Sequence, residues 1–286
     1  MISPFDYFRP TTVGEASAAL LADDDAVFYA GGTELLVLMK NRLVEPRLLV
    51  DLKHIPGLRG VRREGDVLVI GGLTTHREME RSEILTLMAP ELRRVSSMVA
   101  NVRVRHAGTI AGNLCFAEPH SDPATMLVGL RASVVLQSVA GARELPLEEF
   151  FTGFLSTARA REEVLTEIRV PIAQGDQQAA YERFKSHERP DASVAIVTDS
   201  RDGVITAARV VAGCVGDVPQ RVTPVETMLV GARADALDVR ALAALARDAV
   251  EVDADPMMSA EYKQQLVATL TKRALARVVA SRSEAA

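Results

Sequence analysis

The most informative stretch of this chain is residues 107–122, which reads AGTIAGNLCFAEPHSD. It combines glycines, hydroxyls, an amide and a carboxylate without helical periodicity, so we predict a binding loop. Gly108 and Gly112 allow a positive φ or a close backbone approach. The amides of Thr109 to Asn113 are then free to converge on an anion, and a diphosphate is the anion we expect.

A second glycine pair occurs earlier, in residues 27–36, which read VFYAGGTELL. This pattern predicts a short apolar strand, a Gly31-Gly32 turn and a helix over 34–41 that is capped by Thr33. The amides and the dipole at the start of a helix favour an anion. One such loop is most often a plain turn, but two loops in one chain predict one long ligand.

Neither loop matches the common nucleotide-binding signatures. There is no GxGxxG dinucleotide fingerprint and no GxxxxGK(S/T) phosphate loop, and no lysine follows either glycine pair at the place where a phosphate loop needs it. A Rossmann or kinase-like nucleotide site is therefore disfavoured.

The two loops, in this order, resemble those of the FAD-binding medium subunit of molybdenum hydroxylases. That family includes the medium subunit of carbon monoxide dehydrogenase and the flavin domain of xanthine dehydrogenase. The resemblance is carried by AGGTEL at 30–35, TIAGN at 109–113 and Ser121-Asp122, and it extends from about Pro4 to about Arg277. One departure is Ala111, which stands where the family usually has a glycine.

The resemblance implies an α+β fold with two parts. The first is a two-subdomain FAD-binding fold like that of vanillyl-alcohol oxidase, and the second is a small C-terminal three-stranded antiparallel sheet with helices. We place the FAD-binding domain at residues 1–174, with subdomains of about 1–56 and 57–174, and the C-terminal α+β domain at 175–286. The polar stretch PIAQGDQQ, residues 171–178, is the predicted linker.

The resemblance also implies which residues bind FAD. The two loops would contribute Phe28, Tyr29, Ala30, Gly31, Gly32, Thr33, Glu34 and Leu35, and then Thr109, Ile110, Ala111, Gly112 and Asn113. Asp122 would accept a hydrogen bond from a ribityl or ribose hydroxyl, Leu165 would pack on the isoalloxazine, and Lys185 would place positive charge near the flavin. Each of these three has a structural alternative, respectively a helix cap, a core position and a solvated loop.

No catalytic residue and no metal ligand is expected in this chain. The histidines lack the His-x-x-x-His spacing of zinc sites, and there is no G-x-S-x-G nucleophile motif. Cys115 and Cys214, the only cysteines, make a disulfide framework implausible. They are also too few for an iron–sulfur cluster, which needs about four ligands, so any such cluster belongs to another chain.

The composition is that of an ordinary globular protein of 286 residues, 48% of them hydrophobic and 25% charged. A net charge of -5 gives no attraction to nucleic acid or to an anionic membrane. The first residues do not have the pattern of a signal peptide, and no apolar run approaches the about 18 residues of a transmembrane segment. We therefore expect a cytoplasmic protein.

The resemblance implies an FAD-binding electron-transfer subunit of a heteromeric molybdenum hydroxylase, and the lack of a catalytic motif agrees with it. The resemblance implies a small subunit with 2Fe–2S clusters and a large subunit with the molybdenum cofactor, assembled as a dimer of heterotrimers. Electrons would pass from the clusters through FAD to an external acceptor. One alternative is a stand-alone flavin-dependent oxidase or dehydrogenase of the same fold, although the about 110 residues after the linker are few for a substrate domain. A non-enzymatic nucleotide-binding scaffold is another.

Local patterns predict most of the remaining elements. Thr12 with Glu15, and Thr75 with Glu78, have the spacing of capping boxes at the start of helices. Beyond the linker, the predicted strands are 179–185, 193–200 and 204–214, and the predicted helices are 222–229, 239–250 and 259–279.

Overall fold

The computed structural model of the chain describes residues 2–173, 175–254 and 256–283. Within these residues the strands form four sheets, of three, five, four and two strands. No helix in these ranges is both long and apolar enough to cross a lipid bilayer.

The first sheet is parallel, with the order β1-β3-β2. Its strands are β1 (Asp6–Phe8), β2 (Ala26–Tyr29) and β3 (Leu48–Asp51), and its crossovers contain α1 (Val13–Ala22) and α2 (Leu35–Lys40). Thr12 caps α1 as predicted, because its hydroxyl accepts a hydrogen bond from the Glu15 amide at 3.1 Å. The predicted strand and helix around the Gly31-Gly32 turn are present as β2 and α2, and β3, which follows α2, pairs with β2.

The second sheet is antiparallel, with five strands in the order β4-β5-β10-β6-β7. These strands are β4 (Val61–Glu64), β5 (Val67–Gly71), β6 (Ser133–Ser138), β7 (Gly141–Pro146) and β10 (Val164–Pro171). The small hairpin of β8 (Phe151–Gly153) and β9 (Ser156–Thr157) precedes β10. Because β10 is central and covered on both sides, it is buried along most of its length.

Seven helices lie between residues 76 and 150, between the strands of the second sheet. They are α3 (His76–Arg81), α4 (Glu83–Met88), α5 (Pro90–Met98), α6 (Val102–Ala107), α7 (Ile110–Phe116), α8 (Asp122–Gly129) and α9 (Leu147–Phe150). The capping box at the start of α3 is present, with both reciprocal hydrogen bonds between Thr75 and Glu78. Every residue of α8 is buried, which makes this helix the centre of the largest core.

The third sheet is antiparallel, with the order β11-β12-β13-β14. Its strands are β11 (Asp176–Phe184), β12 (Ala192–Arg201), β13 (Val204–Gly213) and β14 (Gln220–Arg221), and its helices are α10 (Thr223–Leu229), α11 (Val239–Ala249) and α12 (Ala260–Ser283). The three predicted strands are present, and the fourth has only two residues, too few to show a pattern. One face of β12 presents Val194 and Ile196 to the helices of the C-terminal domain, while Ala195 and Val197 join the core around α8.

Two local predictions were wrong. Residues 110–116 form helix α7, although the stretch was predicted to be a loop throughout. Thr33 does not cap α2, because the N-cap residue is Glu34 and it makes no side-chain capping bond. Gln174, at the predicted domain boundary, lies outside the described residues, and that boundary stays a prediction.

Candidate functional site

The two glycine-containing segments meet in space. A Cβ atom added to Gly31 would overlap the carbonyl oxygen of Ala107 and lie 2.9 Å from the Cα of Gly108. A Cβ added to Gly108 would in turn lie 3.4 Å from the hydroxyl oxygen of Thr33. The backbones touch because Gly31 has no side chain. We call this line of contact between residues 31–34 and residues 107–109 the seam.

The first segment presents a row of unused backbone donors at the seam. Within the described parts of the chain, the amides of residues 31–34 donate to no backbone or side-chain acceptor. The turn that exposes them depends on Gly32, which has a φ of 72°. Successive free amides in such a turn form a concavity that binds anions.

In the second segment most amides already have acceptors inside the protein. Ile110 donates to the Thr74 carbonyl at 3.0 Å, Ala111 to the Gly72 carbonyl at 2.9 Å, Gly112 to the Thr109 hydroxyl at 3.1 Å, and Asn113 to the Thr109 carbonyl at 3.0 Å. The last two bonds belong to the first turn of α7, whereas the first two join the start of this helix to residues 72 and 74. Five amides, those of residues 109–113, were predicted to bind an anion. Only the Thr109 amide is still available, because it has no acceptor among the described residues.

The other side of the first segment carries positive charge. The ammonium of Lys53 lies 3.7 Å from the centre of the Tyr29 ring, and it donates to the Ala30 carbonyl at 3.4 Å. The guanidinium carbon of Arg159 lies 5.8 Å from the centre of the Phe28 ring. Two cations thus flank β2 and the turn that follows it, although Lys53 is also paired with the Asp51 carboxylate at 3.1 Å, which offsets its charge.

Asp122 is buried and has two protein partners. Its Oδ1 accepts a hydrogen bond from the Tyr181 hydroxyl at 2.6 Å, and its Oδ2 pairs with the Arg183 guanidinium. Burial raises the pKa of Asp122 above its ordinary value, although Arg183 and Tyr181 oppose this shift. The predicted capping role belongs to Ser121, whose hydroxyl faces the Ala124 amide at 3.4 Å. The predicted contact of Asp122 with a ribityl or ribose hydroxyl stays a prediction.

Leu165 lies directly behind the second segment. A Cβ atom on Gly72 would overlap the Leu165 carbonyl oxygen and would lie 3.1 Å from the Cβ of Ala111. The side chain of Leu165 is 3% exposed and belongs to the main core. This position agrees with its structural alternative as a core residue, and its contact with an isoalloxazine stays a prediction.

The loop of residues 185–191 joins β11 to β12 and reaches both segments. Lys185 is exposed on it. Arg189 binds Glu34 at 2.9 Å and Glu118 at 2.6 Å, and so connects the C-terminal domain to both glycine-containing stretches, residues 27–36 and 107–122. Although burial opposes ionisation of Glu118, the hydrogen bond from His120 and the charge of Arg189 lower its pKa. The sequence did not reveal this bridge, because its partners are 155 and 71 positions away from Arg189.

A second unpredicted feature is a charged network between the domains. The carboxylate of Glu91, on α5, accepts hydrogen bonds from the Tyr181 amide at 2.6 Å, from Arg94 at 2.7 Å and from Arg277 at 3.0 Å. It therefore links α5, β11 and α12. Through Tyr181 the same network reaches Asp122. Isolated charges in a sequence give no signal for such long-range pairs.

Within the described residues there is no group of three or more His, Cys, Asp or Glu side chains placed to hold a metal ion. Cys115 and Cys214 are unpaired thiols. Burial raises the pKa of Cys115 to about 11, so that this thiol is protonated at neutral pH.

Comparison with known proteins agrees with this architecture. Residues 3–173 match the family model described as FAD binding domain in molybdopterin dehydrogenase, and residues 158–278 match the CO dehydrogenase flavoprotein C-terminal domain. The chain is 34% identical over 278 residues to caffeine dehydrogenase subunit beta of Pseudomonas sp. strain CBB1, covering 96% of this chain and 94% of that protein. It is 33% identical over 279 residues to the carbon monoxide dehydrogenase medium chain of Hydrogenophaga pseudoflava, covering 96% of this chain and 97% of that protein.

Solved structures show the same fold. A carbon monoxide dehydrogenase structure from Hydrogenophaga pseudoflava superposes with a TM-score of 0.93 at 32% identity, covering 98% of this chain and 99% of the other. Quinoline 2-oxidoreductase from Pseudomonas putida 86 superposes with a TM-score of 0.92 at 26% identity, again covering 98% of this chain and 99% of the other. The fold, the two segments at the seam and these matches lead to one assignment. The chain belongs to the family of FAD-binding subunits of molybdopterin dehydrogenases.

Proposed function

We propose that this chain holds the diphosphate of FAD at the seam and serves as the electron-transfer subunit of a heteromeric molybdenum hydroxylase. The observation that carries the proposal is the row of free amides at residues 31–34, held against the second segment by the contact of Gly31 with Ala107. A diphosphate has the charge and the acceptor oxygens that such a row of donors needs.

Several residues around the seam would each contribute to binding FAD. The amides of residues 31–34 and of Thr109 would donate to the diphosphate, and Lys53 and Arg159 would add favourable charge. Asn113 is fixed by a hydrogen bond of 2.7 Å from the Ser121 hydroxyl to its side-chain oxygen, so its side-chain amide is oriented for a polar group of the ligand. Lys185 would contribute positive charge from the loop above the site.

When bound, FAD supplies the ability to accept and release electrons one or two at a time. The chain's own residues hold and orient the cofactor and set the charge around it. The relatives of this chain are named as the medium, beta or FAD-containing subunits of dehydrogenases. We therefore infer that substrate oxidation takes place on a large subunit with the molybdenum cofactor, and that a small subunit with 2Fe–2S clusters delivers the electrons.

Three finer statements stay predictions. They are the dimer of heterotrimers, the location in the cytoplasm and the external acceptor.

The proposal predicts a yellow protein without hydroxylase activity of its own. The chain purified with its native subunits should carry about one FAD per chain, and acid denaturation should release all of it, since no covalent link is expected. The chain freed of its partners should show no reduction of its flavin when hydroxylase substrates are added. Absorbance at the flavin band, before and after each treatment, is the measurement. Substrate-dependent flavin reduction by the separated chain would instead indicate a stand-alone oxidase.

The turn at Gly32 offers a test of the loop assignment. Its φ of 72° is unfavourable for any residue with a β-branched side chain, and a Cβ there would overlap the Tyr29 ring. We expect Gly32→Val to lose most of its FAD while the chain stays folded, as seen by flavin absorbance and circular dichroism. Ala111→Gly is the matched change in the second segment. It should keep full flavin content, with a loss of stability of about 1 kcal/mol for glycine inside a helix.

A further inference from the structure

The imidazole of His76 lies next to the seam and has no partner. His76 begins α3 and is 2% exposed. Its backbone amide donates to the Gly108 carbonyl at 3.0 Å, which fixes the residue against the second segment. The side-chain Nδ1 is buried without a hydrogen-bond partner. Among the described residues Nε2 has none either. A buried polar side chain of this kind requires an explanation.

The orientation of the ring places its second nitrogen on the side of the seam. A Cβ added to Gly108 would lie 3.4 Å from the Cδ2 of His76 and 3.4 Å from the hydroxyl oxygen of Thr33. Because Nε2 is bonded to Cδ2, the edge of the ring that approaches Gly108 carries Nε2, while Nδ1 lies on the opposite edge. The Thr33 hydroxyl and the Nε2 edge thus approach the same glycine.

The chemistry of the ring indicates where its proton lies. A buried N–H group without an acceptor is rarer in proteins than a buried lone pair without a donor. Nδ1 is therefore the unprotonated nitrogen, and Nε2 carries the hydrogen. Burial, with a contribution from Arg105, lowers the pKa of His76 to about 4, so the imidazole is neutral at pH 7 and offers one donor.

The charged groups nearby do not supply the missing acceptor, because they are engaged with one another. The pairs on α3 and on the helices packed against it are Arg59 with Glu78, Arg77 with Glu80, Arg105 with Glu80, and Arg94 with Glu91. An acceptor for Nε2 must then come from outside the described protein atoms, either from a water molecule or from the ligand at the seam.

We propose that His76 is a further ligand of the FAD diphosphate, with its Nε2–H group donating to a phosphate oxygen beside the Thr33 hydroxyl. The inference rests on the proposed function, because it takes FAD to be the occupant of the seam. It assigns a donor that neither glycine motif contains, and it gives Nε2 an acceptor, while Nδ1 stays without a partner.

The test compares variants of His76 in flavin-depleted protein that is purified with its native subunits. His76→Leu keeps a similar volume and removes the donor, so the dissociation constants of FAD and of ADP should each rise about tenfold. His76→Gln keeps an N–H donor at the end of the side chain and should stay within about threefold of the unmodified protein. Fluorescence quenching gives the dissociation constant of FAD, and calorimetry gives that of ADP. ADP has the diphosphate but no flavin.

Thr271→Val is the matched control. The hydroxyl of Thr271 is also buried without a partner, but it lies in the C-terminal core. Removing it should leave both dissociation constants unchanged. Thermal unfolding gives a second measurement. Without ligand, His76→Leu should unfold at the same temperature as the unmodified protein or above it, whereas the rise in Tm produced by FAD should shrink.

Two results would overturn the proposal. Equal FAD constants for the unmodified protein and His76→Leu would mean that a water molecule, and not the ligand, satisfies the ring. If His76→Leu weakens the binding of FAD but not that of ADP, His76 contacts the flavin and not the diphosphate. If the unmodified protein itself takes up no FAD, the proposed function fails together with this inference, so the two failures are distinguishable.

Discussion

Gly31→Ala is expected to give a folded chain that retains no FAD. The added methyl group would overlap the carbonyl oxygen of Ala107, with 2.8 Å to the carbonyl carbon and 2.9 Å to the Gly108 Cα. All of these atoms belong to the backbone, so no side chain can rotate away. The two segments must separate, which moves the free amides of residues 31–34 away from the second segment. The ratio of flavin to protein absorbance after gel filtration measures the effect, which we expect to exceed tenfold.

Gly14→Ala is the matched control for this change. Gly14 lies within α1, and the nearest atom to an added Cβ is the Thr12 hydroxyl oxygen at 3.9 Å. Replacing glycine by alanine inside a helix usually stabilises it by about 0.5–1 kcal/mol. This variant should therefore keep its full flavin content. Normal FAD content in Gly31→Ala would show that the seam is not the binding site.

Asp122→Ala is expected to lower the free energy of unfolding by about 3–5 kcal/mol, the usual cost of removing one partner from a buried ion pair. The side chain of Asp122 is 5% exposed and that of Arg183 is 16% exposed, so the guanidinium would lose its counter-charge where water reaches it poorly. The Tyr181 hydroxyl, which is fully buried, would lose its acceptor as well. Denaturant titration followed by circular dichroism measures the loss.

Two further variants separate the ion pair from the packing around it. In Asp122→Leu with Arg183→Met both charges are replaced by apolar groups, and much of the lost stability should return. Tyr181→Phe removes only the neutral hydrogen bond and should cost about 1 kcal/mol. If Asp122→Ala unfolds at the same denaturant concentration as the unmodified protein, the pair does not hold the domains together.

The fold was predictable where a pattern is local. Capping residues such as Thr12 and Thr75 act within three positions, and the long strands β12 and β13 each have a recognisable apolar run. The predictions failed where tertiary contacts outweighed local preference. Residues 110–116 contain Gly112 and Asn113, which weaken a helix, yet they form α7 because Thr109 caps it and its apolar residues Ile110 and Leu114 are buried in the core. The strand β14 is formed by pairing with β13 and has no pattern of its own.

The motifs of the site were predictable, but the contacts that hold these motifs in place were not. The motifs at residues 30–35 and 109–113 indicated two segments for one ligand, and the structure places Gly31 and Thr33 against Ala107 and Gly108, which directly precede the second motif. The sequence could not show which amides remain free, because that depends on acceptors such as the Gly72 and Thr74 carbonyls. Nor could it show that Arg189 binds both Glu34 and Glu118. Such a contact depends on how the domains pack, and a single sequence contains no record of which distant charges meet.

The network at Glu91 has a consequence for how the protein is made. Glu91 and Arg277 are 186 positions apart, so at about 5–20 residues per second the ribosome synthesises the arginine roughly 10–40 s after the glutamate. For most of this interval, once residue 122 has been added, the nascent chain contains both glycine segments, but it lacks α12 and therefore the contacts that Arg277 makes with Glu91 and with the Tyr181 carbonyl. The link that Arg277 makes between α5 and β11 is thus absent until late in translation, so these two elements first meet without their shared cation.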